Sequence, residues 1–195
     1  MTVKFLKSVY KIEDLPPIEE NRKEIVFVGR SNVGKSSLLN YLTNSSIAKV
    51  GKTPGRTRAI NYFKWDFEKN KVYLVDLPGY GFARGDRKEI ENWKRLMEDY
   101  FTTRRDNIAL VLVLVDAKVG PTEQDFQMME WLQYLGIPYA VVLTKTDKAN
   151  QKDIGQTLKK LREFGVAEVV QTSSKDRKGK QQLLKVINQH LREES

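Results

Sequence analysis

Cysteine is absent from this 195-residue chain, which removes any disulfide framework or zinc–thiolate site and fits a reducing compartment. Long apolar runs are missing as well. The longest, Ile108 to Val115, falls far short of the roughly 20 residues that a membrane-spanning helix needs. The opening stretch MTVKFLKSVYKIEDL breaks its apolar positions with charge and offers no signal-peptide core. A cytoplasmic chain with no membrane span is therefore expected. Repeats, low-complexity tracts and linkers are lacking too, so one compact domain is expected. Histidine is limited to His190, near the C-terminus, which reads as a surface or capping residue.

Positive charge, by contrast, is in excess. Lys and Arg total 34 against 25 Asp and Glu, a formal charge of +9. A field of that sign suits a polyanionic partner, nucleic acid or an anionic membrane, and favours nucleic acid over a merely solvated basic exterior.

Apolar, β-branched runs alternate with amphipathic segments along the chain, the pattern of an α/β domain with a mostly parallel sheet. Six strands are predicted, at 24–28, 59–67, 72–76, 109–116, 139–144 and 168–171, with the second and third forming an antiparallel hairpin at the sheet edge. Helices are predicted to begin near Lys35 and to cover 87–102, 122–135, 154–164 and 181–191. Thr122 caps the third of these and Gly136 lies just past its end. Tyr62, Phe63, Trp65 and Phe67 are read as sheet packing rather than as a platform for stacking bases.

Four segments carry chemistry. Gly29-Arg30-Ser31-Asn32-Val33-Gly34-Lys35-Ser36-Ser37 follows a strand, opens a helix and matches G-x-x-x-x-G-K-[ST]. Its glycines let the backbone curl so that N–H groups face a phosphate, and the helix N-terminus adds favourable partial charge. Lys35 would reach the β- and γ-phosphates, and the Ser36 hydroxyl would bind Mg²⁺. Asp76-Leu77-Pro78-Gly79 ends another strand, where a carboxylate can reach that metal through water and a glycine N–H can approach the γ-phosphate.

Thr144-Lys145-Thr146-Asp147 has the spacing of a guanine reader. Asp147 would accept from the ring N1–H and the exocyclic amine, a pair of donors that adenine does not offer, while the Lys145 stem packs along base and ribose. Ser173-Ser174-Lys175 follows the last strand, where a loop could cover the base. Basic residues cluster at Lys49, Lys52, Arg56 and Arg58 and again at Lys175, Arg177, Lys178 and Lys180. Both clusters flank the predicted nucleotide site, so they could hold an RNA, support the nucleotide, or do both.

The fuller strings GRSNVGKSSLLN, TPGRTR, DLPGYGFA and LTKTDK closely resemble the EngB family of bacterial ribosome-assembly GTPases, from about Glu24 to the C-terminus. The resemblance implies a Ras-like P-loop GTPase fold of three α/β/α layers, a G domain over residues 23–195 and an N-terminal extension, residues 1–22, packed on it. It also implies hydrolysis of GTP to GDP as a switch in assembly of the large ribosomal subunit. The partner would be that subunit or its rRNA and proteins; no DNA partner is implied, and a monomer is expected. Lys35, Thr57 and Gly79 would serve the reaction.

In Gly55-Arg56-Thr57-Arg58-Ala59 the family pattern assigns the Mg²⁺ ligand to Thr57, alongside Ser36 and, through water, Asp76. Thr53 competes for that role on spacing alone. Tyr80 stands where Ras-like proteins carry the glutamine that orients the attacking water, which implies slow intrinsic turnover. Arg84 is either a finger acting in cis or a solvated or RNA-facing arginine. Asn32 matches the asparagine beside which related GTPases hold K⁺. Two other function classes remain on the sequence: a passive RNA-binding module stabilised by nucleotide, and a metabolic P-loop kinase, in which Asp147 would have no role.

Overall fold

Why the seven strands stack as they do follows from two apolar faces on one sheet. The computed structural model describes residues 2–49, 59–81 and 87–193. In chain order these form β1 (Thr2–Val9), β2 (Lys23–Gly29), α1 (Lys35–Thr43), β3 (Ile60–Phe67), β4 (Asn70–Asp76), α2 (Arg87–Arg104), β5 (Ile108–Asp116), α3 (Glu123–Leu135), β6 (Tyr139–Thr144), α4 (Gln151–Phe164), β7 (Val169–Gln171) and α5 (Lys180–Glu193). The sheet order is β1-β3-β4-β2-β5-β6-β7. β3 runs antiparallel to its neighbours β1 and β4, and the remaining neighbours are parallel.

Central β5 shows the logic. Leu110, Leu112 and Leu114 pack on one side with Leu38, Leu39 and Leu42 of α1 and Leu183 and Ile187 of α5. Val111, Val113 and Val115 pack on the other with Met97 and Phe101 of α2, Met129 and Leu132 of α3 and Leu161 of α4. A strand covered on both faces reads as a continuous apolar run, and every residue from Ala109 to Leu114 is fully buried. No helix among the described residues is long and apolar enough to cross a membrane.

Helix limits follow local chemistry. Thr122 and Asp125 form a capping box at the start of α3, and Gly136 closes it, as predicted. Asn150 and Asp153 form a second box, which starts α4 a turn earlier than apolar periodicity suggested. Tyr62, Phe63, Trp65 and Phe67 are all buried in the two cores, so packing is their role.

The sheet has seven strands rather than six, and the β3–β4 hairpin is not its edge. β1 pairs antiparallel with β3 from Thr2↔Asp66 to Val9↔Ile60, with a bulge between Phe5 and Lys7. The bulge explains why alternation failed to reveal this strand. Val3 packs on the α1/α5 side and Phe5 meets Phe63 edge-on at 5.5 Å, whereas Leu6 and Val9 join the opposite core. One inserted residue reverses the period-2 pattern midway.

At the start of β2, opposite the end that carries Gly29, Glu24 is fully buried. Its Oε1 accepts hydrogen bonds from the Tyr62 and Tyr100 hydroxyls, both at 2.7 Å. Its Oε2 accepts from Asn107 at 2.8 Å and pairs with Arg104 at 3.2 Å. Arg104 also donates to the Pro16 carbonyl. A buried charge satisfied this fully is tolerable, whereas removing one partner costs several kcal/mol, roughly 3–5.

Candidate nucleotide site

The parallel strands β2, β4 and β6 end on the same side of the sheet, and the four chemistry-bearing segments leave from or next to those ends. The first turn is sterically specified. A Cβ on Gly29 would lie 2.8 Å from Val33 Cγ1 and 3.1 Å from the Leu114 carbonyl oxygen. Asn32 and Gly34 then take left-handed backbone angles, φ 67° and 106°, and α1 begins at Lys35. The N–H groups of a helix's first turn have no intrahelical acceptor, and the start of α1 borders a cavity of about 740 Å³.

Asn32 through Ser37, Asp76 through Gly79, Ala59 and Lys145 line that cavity. Burial pushes the Lys35 ammonium below the usual lysine range, and the Asp76 carboxylate pulls it back up. Such a cation gains from an added anion more than a solvated lysine would. Gly79 is close to it: a Cβ there would sit 3.0 Å from Ser31 N and 3.1 Å from Lys35 Nζ. Glycine lets the chain approach this closely without crowding either neighbour.

The residues of Thr144–Asp147 are tied to this first turn. Thr144 Oγ1 donates to the Val33 carbonyl at 2.7 Å. Lys145, at φ 57°, donates from Nζ to the Asn32 carbonyl at 2.8 Å and lies 3.8 Å from Asp116 Oδ2. The loop after β7 meets the same motif. Asp147 Oδ1 accepts from Ser173 Oγ at 2.8 Å, and Thr146 Oγ1 donates to the Thr172 carbonyl at 2.9 Å. One Asp147 oxygen is thereby oriented by a serine hydroxyl.

Gly55, Arg56, Thr57 and Arg58, the competing Thr53, Lys52 and Arg84 lie outside the described residues. Lys175, Arg177 and Lys178 are exposed, and Arg177 and Lys180 both lie over the Tyr41 ring, at 5.3 and 5.9 Å. His190 lines no part of the cavity; its Nε2 meets Glu168 Oε1 at 2.7 Å. Sequence reasoning missed the apolar end of the cavity, built from Phe5, Ile47 and Phe63, and the Lys145 partner Asp116. Asp116 ends an apolar strand just as Asp76 does, a signal that was available.

A phosphate-loop turn between a central strand and a helix, a carboxylate at the neighbouring strand end and a Thr-Lys-Thr-Asp motif joined to a serine loop define a P-loop GTPase of Ras-like α/β fold. Residues 24–145 match the family described as 50S ribosome-binding GTPase. A probable EngB GTP-binding protein of Aquifex aeolicus is 52% identical over 96% of this chain and 99% of its own length. One from Thermotoga petrophila is 44% identical over 98% of this chain and 97% of its own. The crystal structure of another probable EngB protein superimposes with a TM-score of 0.70 at 28% identity, covering 87% of this chain and 99% of that one. The chain belongs to the EngB family of GTP-binding proteins.

Proposed function

We propose that this chain is a monomeric, cytoplasmic GTPase that binds GTP and GDP, hydrolyses GTP slowly and uses the γ-phosphate to switch its affinity for the large ribosomal subunit during assembly. The observation that supports this best is the convergence of Lys35, Asp76 and Gly79 on one cavity beside the start of α1. The amides of that turn and the Lys35 ammonium neutralise the triphosphate, and Asp147 reads the guanine edge. Ser174 and Lys175 complete the cover of the base from the serine loop.

The donor set fits Mg²⁺. Ser36 and Asp76 offer hard oxygen ligands on the same cavity wall. Among the described residues no group of three or more His, Cys, Asp or Glu side chains could cage a metal unaided. That suits an ion that keeps waters and shares phosphate oxygens. Ser36, Thr57 and, through water, Asp76 would hold it, and when bound it supplies charge neutralisation at the β- and γ-phosphates.

Slow turnover follows from Tyr80. Its ring is buried and its hydroxyl is committed to Asp125, so it holds no water at the γ-phosphate in this arrangement. Asn32, exposed at the cavity rim, would instead help to hold K⁺. GTP turnover is expected to be severalfold faster in K⁺ than in Na⁺ buffer at equal ionic strength; equal rates remove the K⁺ assignment.

The exposed Lys175, Arg177 and Lys178 beside the Asp147 loop provide a basic face for rRNA. Sedimentation with large ribosomal subunits tests the switch. Co-migration is expected with a non-hydrolysable GTP analogue, to fall severalfold with GDP, and to weaken as salt rises. Equal co-migration in both nucleotide states overturns the switch, because a ligand that does not distinguish two states cannot shift them.

A further inference from the structure

Tyr80 occupies the end of a zipper that runs from β4 onto the phosphate loop. Beyond the paired residues Phe27 and Asp76, Leu77 N–H donates to the Phe27 carbonyl at 3.2 Å and Tyr80 N–H to the Gly29 carbonyl at 3.1 Å. The Tyr80 carbonyl then accepts from Ser31 N–H at 2.9 Å, forming a parallel bridge with Arg30. One amide of the phosphate loop, that of Ser31, is thus occupied by the Tyr80 carbonyl instead of facing the cavity. Gly79 lies between, so near both that an added Cβ would stand 3.0 Å from Ser31 N and 3.1 Å from Lys35 Nζ.

The side chain locks this arrangement. Tyr80 is 4% exposed and packs in the same core as Val28, Leu77 and Met129. Its hydroxyl donates to Asp125 Oδ1 at 2.5 Å. Asp125 is itself 1% exposed, and its Oδ2 accepts from Thr122 N–H at 2.8 Å and Thr122 Oγ1 at 3.1 Å. Burial and the Asp125 carboxylate push the phenol well above the usual tyrosine range, so it remains a donor at any working pH. Tyr80 is thereby bonded to the first turn of α3 as well as to the phosphate loop.

On the reading that the cavity takes GDP and GTP, the geometry points to Tyr80 as the residue that sets the preference between them. A γ-phosphate held by Lys35 and the Gly79 amide needs room between them, where an added Cβ alone would already stand 3.1 Å from Lys35 Nζ. Making that room carries Gly79 outward, draws the adjoining Tyr80 carbonyl off Ser31, and loads the Tyr80–Asp125 bond. GDP, which ends at the β-phosphate, requires none of this. The bond therefore opposes triphosphate selectively, and a contact that differs between two states biases their equilibrium by its own strength. Tyr80 acts here as a positioning residue, with its carbonyl on the loop and its hydroxyl on α3.

The test is Tyr80→Phe, which keeps the ring and deletes the hydroxyl, with affinities for fluorescent GDP and a fluorescent non-hydrolysable GTP analogue measured beside wild type. A hydrogen bond to a charged acceptor is worth enough to shift the GTP/GDP affinity ratio toward triphosphate by roughly tenfold, with GDP affinity held within about twofold. Thr122→Ala is the control, since it weakens the same helix cap without touching Tyr80. It is expected to lower the melting temperature and leave the ratio in place. An unchanged ratio in Tyr80→Phe, a parallel loss of both affinities, or an equal shift in Thr122→Ala overturns the assignment. If wild type binds neither nucleotide, the GTPase reading falls and takes this inference with it; if wild type binds both, only the inference is at stake.

Discussion

Lys35→Ala is expected to reduce affinity for GTP by at least about a hundredfold, since two charge-assisted hydrogen bonds to phosphate, each worth roughly 1.5–3 kcal/mol, disappear together. The expectation rests on where the ammonium sits. Burial disfavours its charge, Asp76 answers it only in part, and Gly79 closes over it. A cation in that position gains most when a phosphate arrives, so its contribution is to binding rather than to the empty fold. Equilibrium titration with a fluorescent GTP analogue measures the effect, and a melting curve of the nucleotide-free variant confirms that it is folded. Retained uptake in a folded Lys35→Ala variant would refute the phosphate assignment.

Asp147→Asn is expected to cost about 10²–10³ in guanine-nucleotide affinity while raising affinity for xanthine nucleotides, because a site built for polar pairs strongly rejects the mismatched partner. A carboxylate accepts from both N1–H and the exocyclic amine of guanine. An asparagine carboxamide accepts from N1–H and donates to the carbonyl that xanthine carries in place of the amine. The Ser173 hydroxyl, 2.8 Å from Asp147 Oδ1, can still donate to the amide oxygen of the variant and hold it in the same orientation. Competition of GDP and XDP against a fluorescent guanine nucleotide checks this. An unchanged preference for guanine would show that Asp147 does not read the base.

Much of the site was legible because its chemistry is carried by backbone constraints that restrict residue type. At Gly29 a Cβ would collide with Val33 and at Gly79 it would crowd Ser31 and Lys35, and Lys35 and Asp76 follow at distances set by a helix start and a strand end. Local rules of this kind survive in a linear sequence. The Thr122 cap was readable for the same reason.

What escaped depends on three-dimensional company. The bulge at Leu6 inverted the alternation of β1 and hid both a seventh strand and the apolar wall that Phe5 gives the cavity. Tyr80 was recognisable as a tyrosine where a glutamine was expected, yet its partner Asp125 lies 45 positions away on α3. Lys145 was read for its stem along the base; its ammonium on the Asn32 carbonyl becomes visible only when β2 and β6 are brought together.

The Glu24 cluster has a mechanical consequence for α2. That helix comes next after the Asp76–Gly81 segment and has its far end, at Arg104, clamped to the root of the strand whose tip carries the phosphate loop. At 18 residues it is a rod of about 27 Å. Sliding it lengthwise would tear a guanidinium from a carboxylate in a dry interior, so the lower-cost motion is a tilt with Arg104 as fulcrum. A small displacement at the Arg87 end would then sweep the exposed face of the rod through an arc.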